Sequence, residues 1–297
     1  QNSMLPIENV LLVVNPISGD LDKEELIQEV QRKSDELGKV LSTYLTTGED
    51  DAAEIRKMVD GLKPQRVLVA GGDGTIVLVA ELLRDSSVVL GLLPAGSANG
   101  MATDFGIPNE LPAALDIALG ENVIRMDGVE INGEISLHLS DLGLNALLVK
   151  NYEASETRGK LGYAREVVKT LSEHEVFTVR ISTTQKVIES EAVIVIIANG
   201  KKYGTGVVIN PDGDISDGRF EVVIAKKIDV IELAKLLAGN TEFDPEVVTI
   251  MSVTACSIEC IDKEVHFQID GEYKGPVSRL HAKVLPGMVH IAVPVVD

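Results

Sequence analysis

Gly71-Gly72-Asp73-Gly74-Thr75 stands between the apolar run Val67-Leu68-Val69-Ala70 and a second apolar stretch over residues 76–83. A buried strand must therefore become a helix within a few residues, with one carboxylate held at the mouth of the turn. Glycines carry no Cβ, so backbone can approach a bound group closely, and they tolerate the positive φ that aims several N–H groups at one point. Such a point suits a phosphate, the more so where a helix N-terminus adds partial positive charge. Asp73 beside phosphates makes chemical sense where a divalent cation or a transferable proton lies between them. The plainer alternative is an ordinary strand-to-helix turn with a capping aspartate.

The 297 residues suffice for one large domain or two ordinary ones, and 45% hydrophobic with 25% charged content is that of a globular protein. A net charge of −19 argues against a nucleic-acid partner. It also argues against anionic membrane surfaces unless a local basic patch escapes the average. Cys256 and Cys260 fall on one face of a strand-like segment, too far apart for a disulfide, and read as buried free thiols in a reducing compartment. His138, His174, His266, His281 and His290 are scattered singly and give no zinc spacing. With no apolar run of about 18 residues and no secretory leader pattern, the expectation is a cytoplasmic protein without a transmembrane segment. Gln1-Asn2-Ser3 ahead of Met4 reads as a remnant of expression.

Residues 10–15, 40–46, 67–70 and 88–93 read as short strands, and residues 22–37 and 51–59 as helices between them. This is βαβ architecture with a parallel sheet, in which ligands collect beyond the carboxyl ends of the strands. Three loops of suspect composition begin at such ends, at Asn15, Gly71 and Pro94. From about residue 124 the pattern changes to strands, at 135–139, 177–182, 187–198, 207–210, 220–225, 247–260, 264–269, 280–284 and 289–293, interrupted by helical pattern at 161–171 and 228–237. The expected division is an α/β nucleotide-binding domain over residues 4–124 and a mainly antiparallel β domain over 125–297, with the last strand free to return to the first domain.

Pro94-Ala95-Gly96-Ser97-Ala98-Asn99-Gly100 ends a strand and starts a helix, with Ser97 and Asn99 offering polar groups near its N-terminus. Asn15-Pro16-Ile17-Ser18-Gly19 is similar in character. Three such loops at the strand ends of one βαβ domain suggest a nucleotide held from several sides. With Arg158-Gly159-Lys160-Leu161-Gly162-Tyr163, Asn199-Gly200, Asp217-Gly218 and Ile269-Asp270-Gly271-Glu272 added in order, the chain resembles the diacylglycerol kinase catalytic-domain family, which includes bacterial diacylglycerol kinase-like enzymes and sphingosine and ceramide kinases. The resemblance runs nearly end to end.

That resemblance implies an ATP site between an α/β domain and a β-sandwich domain, and transfer of the γ-phosphate to a lipid hydroxyl, diacylglycerol-like or sphingoid. ATP contacts carry over to Asn15, Pro16, Ser18, Gly19, Thr47, Gly71, Gly72, Asp73, Gly74, Thr75 and Ser97. Phosphoryl transfer needs cradled phosphates, Mg²⁺ and a base near the attacking hydroxyl. Asp73 is the metal-linked carboxylate; Glu272 is the first choice for general base and Asp270 the second, the two expected to point to one side of an extended segment, although Ile-Asp-Gly-Glu-Tyr also reads as a hairpin corner. Asp214, Asp217 and the Arg219 backbone match a loop where bacterial members hold a structural Mg²⁺, and an aspartate-rich turn without metal is the alternative. Expected partners are ATP, a lipid acceptor presented at a membrane surface and, in a homodimer, a second copy of the chain.

The chain departs from the family in three places. Ile76-Val77-Leu78 replaces a polar residue and a glutamate, Gly100 replaces an aspartate, and Asp20 stands where a basic residue is frequent. Each removes a polar or basic group near the ATP site, which leaves open an NAD kinase-like activity or a catalytically silent nucleotide- or lipid-binding member. Arg158, Lys160, Arg165 and Lys169, with Lys201 and Lys202 as a second cluster, are candidates for peripheral membrane docking or for a solvated face.

Overall fold

A computed structural model of the chain describes residues 8–19, 21–96, 99–144, 146, 175–200, 202–203, 207–208, 213–226, 244 and 246–295. They fall into two compact units, one holding the described residues up to Met126 and from Gly287 onward, the other those from Asp127 to Pro286. The helices expected over 161–171 and 228–237, and the basic residues of the first cluster, lie outside the described residues, as does Lys201.

The first unit opens as β1 (Asn9–Val14), α1 (Lys23–Glu36), β2 (Val40–Leu45), α2 (Asp51–Leu62), β3 (Arg66–Gly71), α3 (Asp73–Leu82), β4 (Val89–Pro94), α4 (Gly100–Asp104) and α5 (Leu111–Ala118). Every residue of β3, and five of the six in β1, is buried, as parallel strands covered on both faces require. Helix α1 begins where Asp22 accepts the Glu24 and Glu25 N–H groups at 2.9 and 3.1 Å, and it buries Leu26 and Val30 one turn apart. Parallel pairings give the order β2-β1-β3-β4. The chain runs from β1 to β2 on one side and then to β3 on the other, so the topological switch point lies between β1 and β3.

The second unit carries β5 (Val123–Ile131, shared with the first unit), β6 (Glu134–Ser136), β7 (Leu139–Gly143), β8 (Phe177–Ser182), β9 (Val187–Ala192), β10 (Ile194–Ala198), β11 (Lys202–Tyr203), β12 (Val207–Val208), β13 (Phe220–Ala225), β14 (Val248–Val253), β15 (Ala255–Cys260), β16 (Val265–Ile269), β17 (Glu272–Val277) and most of β18 (Arg279–Ala292). One antiparallel sheet runs β14-β13-β10-β7-β16-β17; β18, β15, β8 and β9 pair antiparallel in another. Period-two alternation assigns the faces: Phe177, Val179 and Ile181 turn inward with Ile258 and Leu280, and meet Leu142, Val195, Val222 and Phe267 of the other sheet. Strand β10 is buried on both faces, its Ile194 and Ile196 packing with Leu139 and Val223 in a second cluster. Cys256 and Cys260 are free and buried in the sandwich, which pushes their thiols up to about 12 and about 11, with Asp262 adding to the second.

Three strand expectations need correction. The run 187–198 is two strands broken at Val193, and 247–260 is two strands broken at Thr254, because strand-like pattern running through the break hides a change of partner strand. The expected strands at 280–284 and 289–293 are one, β18, whose internal Pro286-Gly287 reads as a turn; Gly287 takes φ +57 while pairing continues to His290 and Ile291 beside β4 in the first unit.

Candidate functional site

The loops after β1, β2, β3 and β4 surround a cleft of about 600 Å³ in the first unit. Its walls are Asn15 to Gly19, Thr46 to Gly48 with Asp51, Gly72 with Gly74, Thr75 and Leu78, and Gly96. It sits at the switch-point edge, where the strand order leaves a crevice. Two loops meet there backbone to backbone: a Cβ on Gly96 would come within 2.5 Å of the Gly72 Cα, and one on Gly19, at φ +57, within 2.5 Å of the Ala95 carbonyl oxygen. These positions therefore exclude side chains for packing reasons alone, while Gly74 faces open space.

Side chains then lock the loops to one another. Asn15 donates from Nδ2 to Thr75 Oγ1 at 3.3 Å and accepts the Ile17 N–H at 3.1 Å, tying the β1 loop to the first turn of α3. Ser18 Oγ donates to the Asn15 and Ala95 carbonyls at 3.0 and 3.1 Å. On the far wall Thr47 Oγ1 donates to the Glu49 carbonyl at 2.9 Å, and the Asp51 carboxylate accepts the Thr47 N–H, the Gly48 N–H and the Tyr44 hydroxyl, each at 2.8 Å. Burial alone would raise the Asp51 carboxyl; the donors from Thr47, Tyr44 and Gly48 outweigh it and hold the group below its ordinary value. Asp51 and Lys23, whose ammonium donates to the Ser18 carbonyl at 2.6 Å, are missing from the sequence reading. The acidic start of α2 is the signal that could have found Asp51; nothing in the sequence marks Lys23.

Asp73 does not line the cleft directly. It opens α3, and its Oδ2 and Oδ1 accept the N–H groups of Gly100 and Met101 at 3.0 and 3.2 Å, so it caps α4 from a distance. Asn99, expected to serve that helix, instead takes φ +51 and folds its Oδ1 back onto the Gly96 N–H at 2.8 Å. Ser97 and Asp20 lie outside the described residues.

In the second unit Asp270 and Glu272 are not neighbours on an extended segment. Ile269 pairs with Glu272, and Asp270-Gly271, at φ +46 and +87, form the two-residue corner between β16 and β17, a type I′ geometry that favours Asp-Gly. Asp270 is turned inward: its carboxylate accepts the Ser136 hydroxyl and the N–H groups of Leu137, His138 and Leu139 at 2.7 to 3.0 Å. Desolvation raises its carboxyl above the usual range despite the opposing pull of those N–H groups. Glu272 points outward, its side chain 74% exposed with the Lys274 ammonium at 3.1 Å. Asp214 and Asp217 each accept the N–H two residues on, from Ser216 and Arg219, both at 2.9 Å, as turn-forming aspartates do. Among the described residues no three His, Cys, Asp or Glu side chains converge to hold a metal.

Two family descriptions match, a diacylglycerol kinase catalytic domain over residues 9–131 and a YegS C-terminal NAD kinase beta sandwich-like domain over residues 141–293. The chain belongs to this lipid kinase family. Within it, the chain is 27% identical over 300 residues to a probable lipid kinase YegS-like protein of Yersinia pestis (strain Pestoides F), covering 96% of this chain and 97% of that one. The counterpart from Yersinia pseudotuberculosis serotype O:1b (strain IP 31758) matches equally well. The fold is that of a diacylglycerol kinase structure from Bacillus anthracis str. Sterne, with a TM-score of 0.74, 20% identity and 98% of both chains covered. Of the apolar stretch Ile76-Val77-Leu78, Leu78 stands on the cleft wall and Ile76 is buried, and Gly100 supplies an N–H to Asp73.

Proposed function

We propose that this lipid kinase family member transfers the γ-phosphate of ATP to a lipid hydroxyl. The observation that carries the reading is the cleft at the switch point, lined by Gly19, Gly48, Gly72, Gly74 and Gly96 together with Ser18, Thr47 and Thr75. Such walls suit a triphosphate, which backbone N–H groups and hydroxyls can approach without steric obstruction. The acceptor oxygen attacks the γ-phosphorus, its proton passes to the Glu272 carboxylate, and the bond to the β-phosphate oxygen breaks to release ADP. Glu272 is preferred to Asp270 because the Asp270 oxygens are already taken by four donors.

Mg²⁺ with ATP takes one or two protein carboxylates beside water and phosphate oxygens. Asp73 already accepts the Gly100 and Met101 N–H groups, one on each oxygen, so it would hold the ion only through its remaining lone pairs, neutralising phosphate charge there. At Asp214, Asp217 and Arg219 the two carboxylates accept the Ser216 and Arg219 N–H groups, as aspartates do in a turn that holds no metal. An NAD kinase-like activity is the second reading, favoured by apolar Leu78 on the cleft wall.

The experiment pairs a calorimetric titration of ATP with turnover by Asp73→Ala. Wild type should bind ATP; Asp73→Ala, which also removes the α4 cap and about 1 kcal/mol of stability with it, should stay folded and lose turnover, and Asp73→Asn, which keeps a capping oxygen, should lose turnover too. An active Asp73→Ala removes the metal role from this residue, and absence of ATP binding by wild type removes the cleft reading.

A further inference from the structure

Asp141 and Gln268 are buried polar residues that the reaction scheme leaves without a task. Asp141 lies in β7, directly between Ile196 of β10 and Gln268 of β16 in the sheet register, and is 0% exposed; Gln268 is 1% exposed. A carboxylate and an amide at such strand-centre positions cost stability relative to apolar side chains of the same size. The pair is also directional. Gln268 Nε2 donates to Asp141 Oδ2, which fixes the amide so that its Oε1 faces the Gly271 N–H and accepts it at 2.6 Å.

Gly271 is the second residue of the corner that precedes Glu272. Each corner residue is therefore held from inside the protein, Asp270 through its own carboxylate on Ser136 to Leu139 and Gly271 through Gln268. Glu272, exposed and paired with Lys274, takes its place from that backbone. We infer that Gln268, oriented by Asp141, is a positioning residue that sets where the Glu272 carboxylate stands. The inference rests on the reading of Glu272 as general base.

The test uses the full chain with Gln268→Glu, with the exchange pair Asp141→Asn/Gln268→Glu, and with Glu272→Gln alone and combined with Gln268→Glu. Gln268→Glu sets two carboxylates against each other, whereas in the exchange pair amide and carboxylate change places and the bonds between positions 141 and 268 and from the Gly271 N–H can both re-form. Amide hydrogen exchange at Gly271 and turnover of dioctanoylglycerol in mixed micelles are read together. Gln268→Glu should speed exchange at Gly271 about tenfold and lower kcat about tenfold, with KM for ATP unchanged. The exchange pair should restore both, and adding Gln268→Glu to Glu272→Gln should lower kcat no further. Unchanged exchange at Gly271, faster exchange with unchanged kcat, or a further loss of kcat in the Glu272→Gln background would each overturn the inference. Full turnover by Glu272→Gln, or none by wild type, would instead remove the base reading and this role with it; exchange at Gly271 would still respond to Gln268→Glu, which separates the two failures.

Discussion

Asp270 and Glu272 are two positions apart in the chain and opposite in circumstance. One carboxylate is enclosed by a hydroxyl and three N–H groups, the other is 74% exposed. Substitution should separate them. Glu272→Gln should lower kcat by about 100-fold or more with an unchanged melting temperature. Asp270→Asn leaves some of those donors unsatisfied and should cost about 1–3 kcal/mol of stability, read as a lower melting temperature in thermal unfolding. A carboxylate of a third kind is Asp51, held below its ordinary value by its donors. Because its folded value lies below the unfolded one, its contribution to stability is complete above the unfolded value of about 3.9 and is lost as pH falls through the folded value. Thermal melts of Asp51→Asn across that acid range should therefore show a flatter pH dependence than wild type.

At the scale of elements, the strand–turn–helix at Gly71 to Thr75 and the βαβ order were legible because apolar runs and glycines carry the signal locally. The loops at Asn15, Gly71 and Pro94 were legible as a group through their strand-end positions, and Thr47 only through the family resemblance. What the sequence could not show is which side chain turns where. Asn99 sits at a helix start, yet Asp73, 26 residues earlier, does the capping across the fold. Asp270 and Glu272 read either as same-face neighbours or as a hairpin corner, and positive φ at Asp270 and Gly271 makes them the corner. Lys23 could not be found, since its role depends on the Ser18 carbonyl coming within reach. The glycines of the cleft offer a prediction at this scale. Gly74→Ala, with no atom within 4 Å of the added Cβ, should leave the melting temperature unchanged and weaken ATP binding in a calorimetric titration. Gly96→Ala, whose Cβ would meet Gly72, should lower both stability and ATP affinity. Unchanged ATP affinity in both variants would contradict close approach of nucleotide to these loops.

For the molecule as a whole, the first unit carries the cleft at a parallel-sheet switch point, where nucleotide is proposed to bind, and the second carries Glu272, the proposed base, at a hairpin corner on its own sandwich core. Among the described residues no helix is long and apolar enough to cross a membrane. A net charge of −19 means that binding to anionic vesicles requires a local basic patch. Charge reversal at Arg158, Lys160, Arg165 and Lys169 should weaken vesicle binding in a sedimentation assay if that cluster is the patch. The central claim is tested most directly by following γ-labelled ATP with diacylglycerol, sphingoid base and NAD as acceptors in turn. The account predicts label in a phosphorylated lipid, absent with Glu272→Gln; label only in phosphorylated NAD, or in no acceptor although ATP binds, would contradict it.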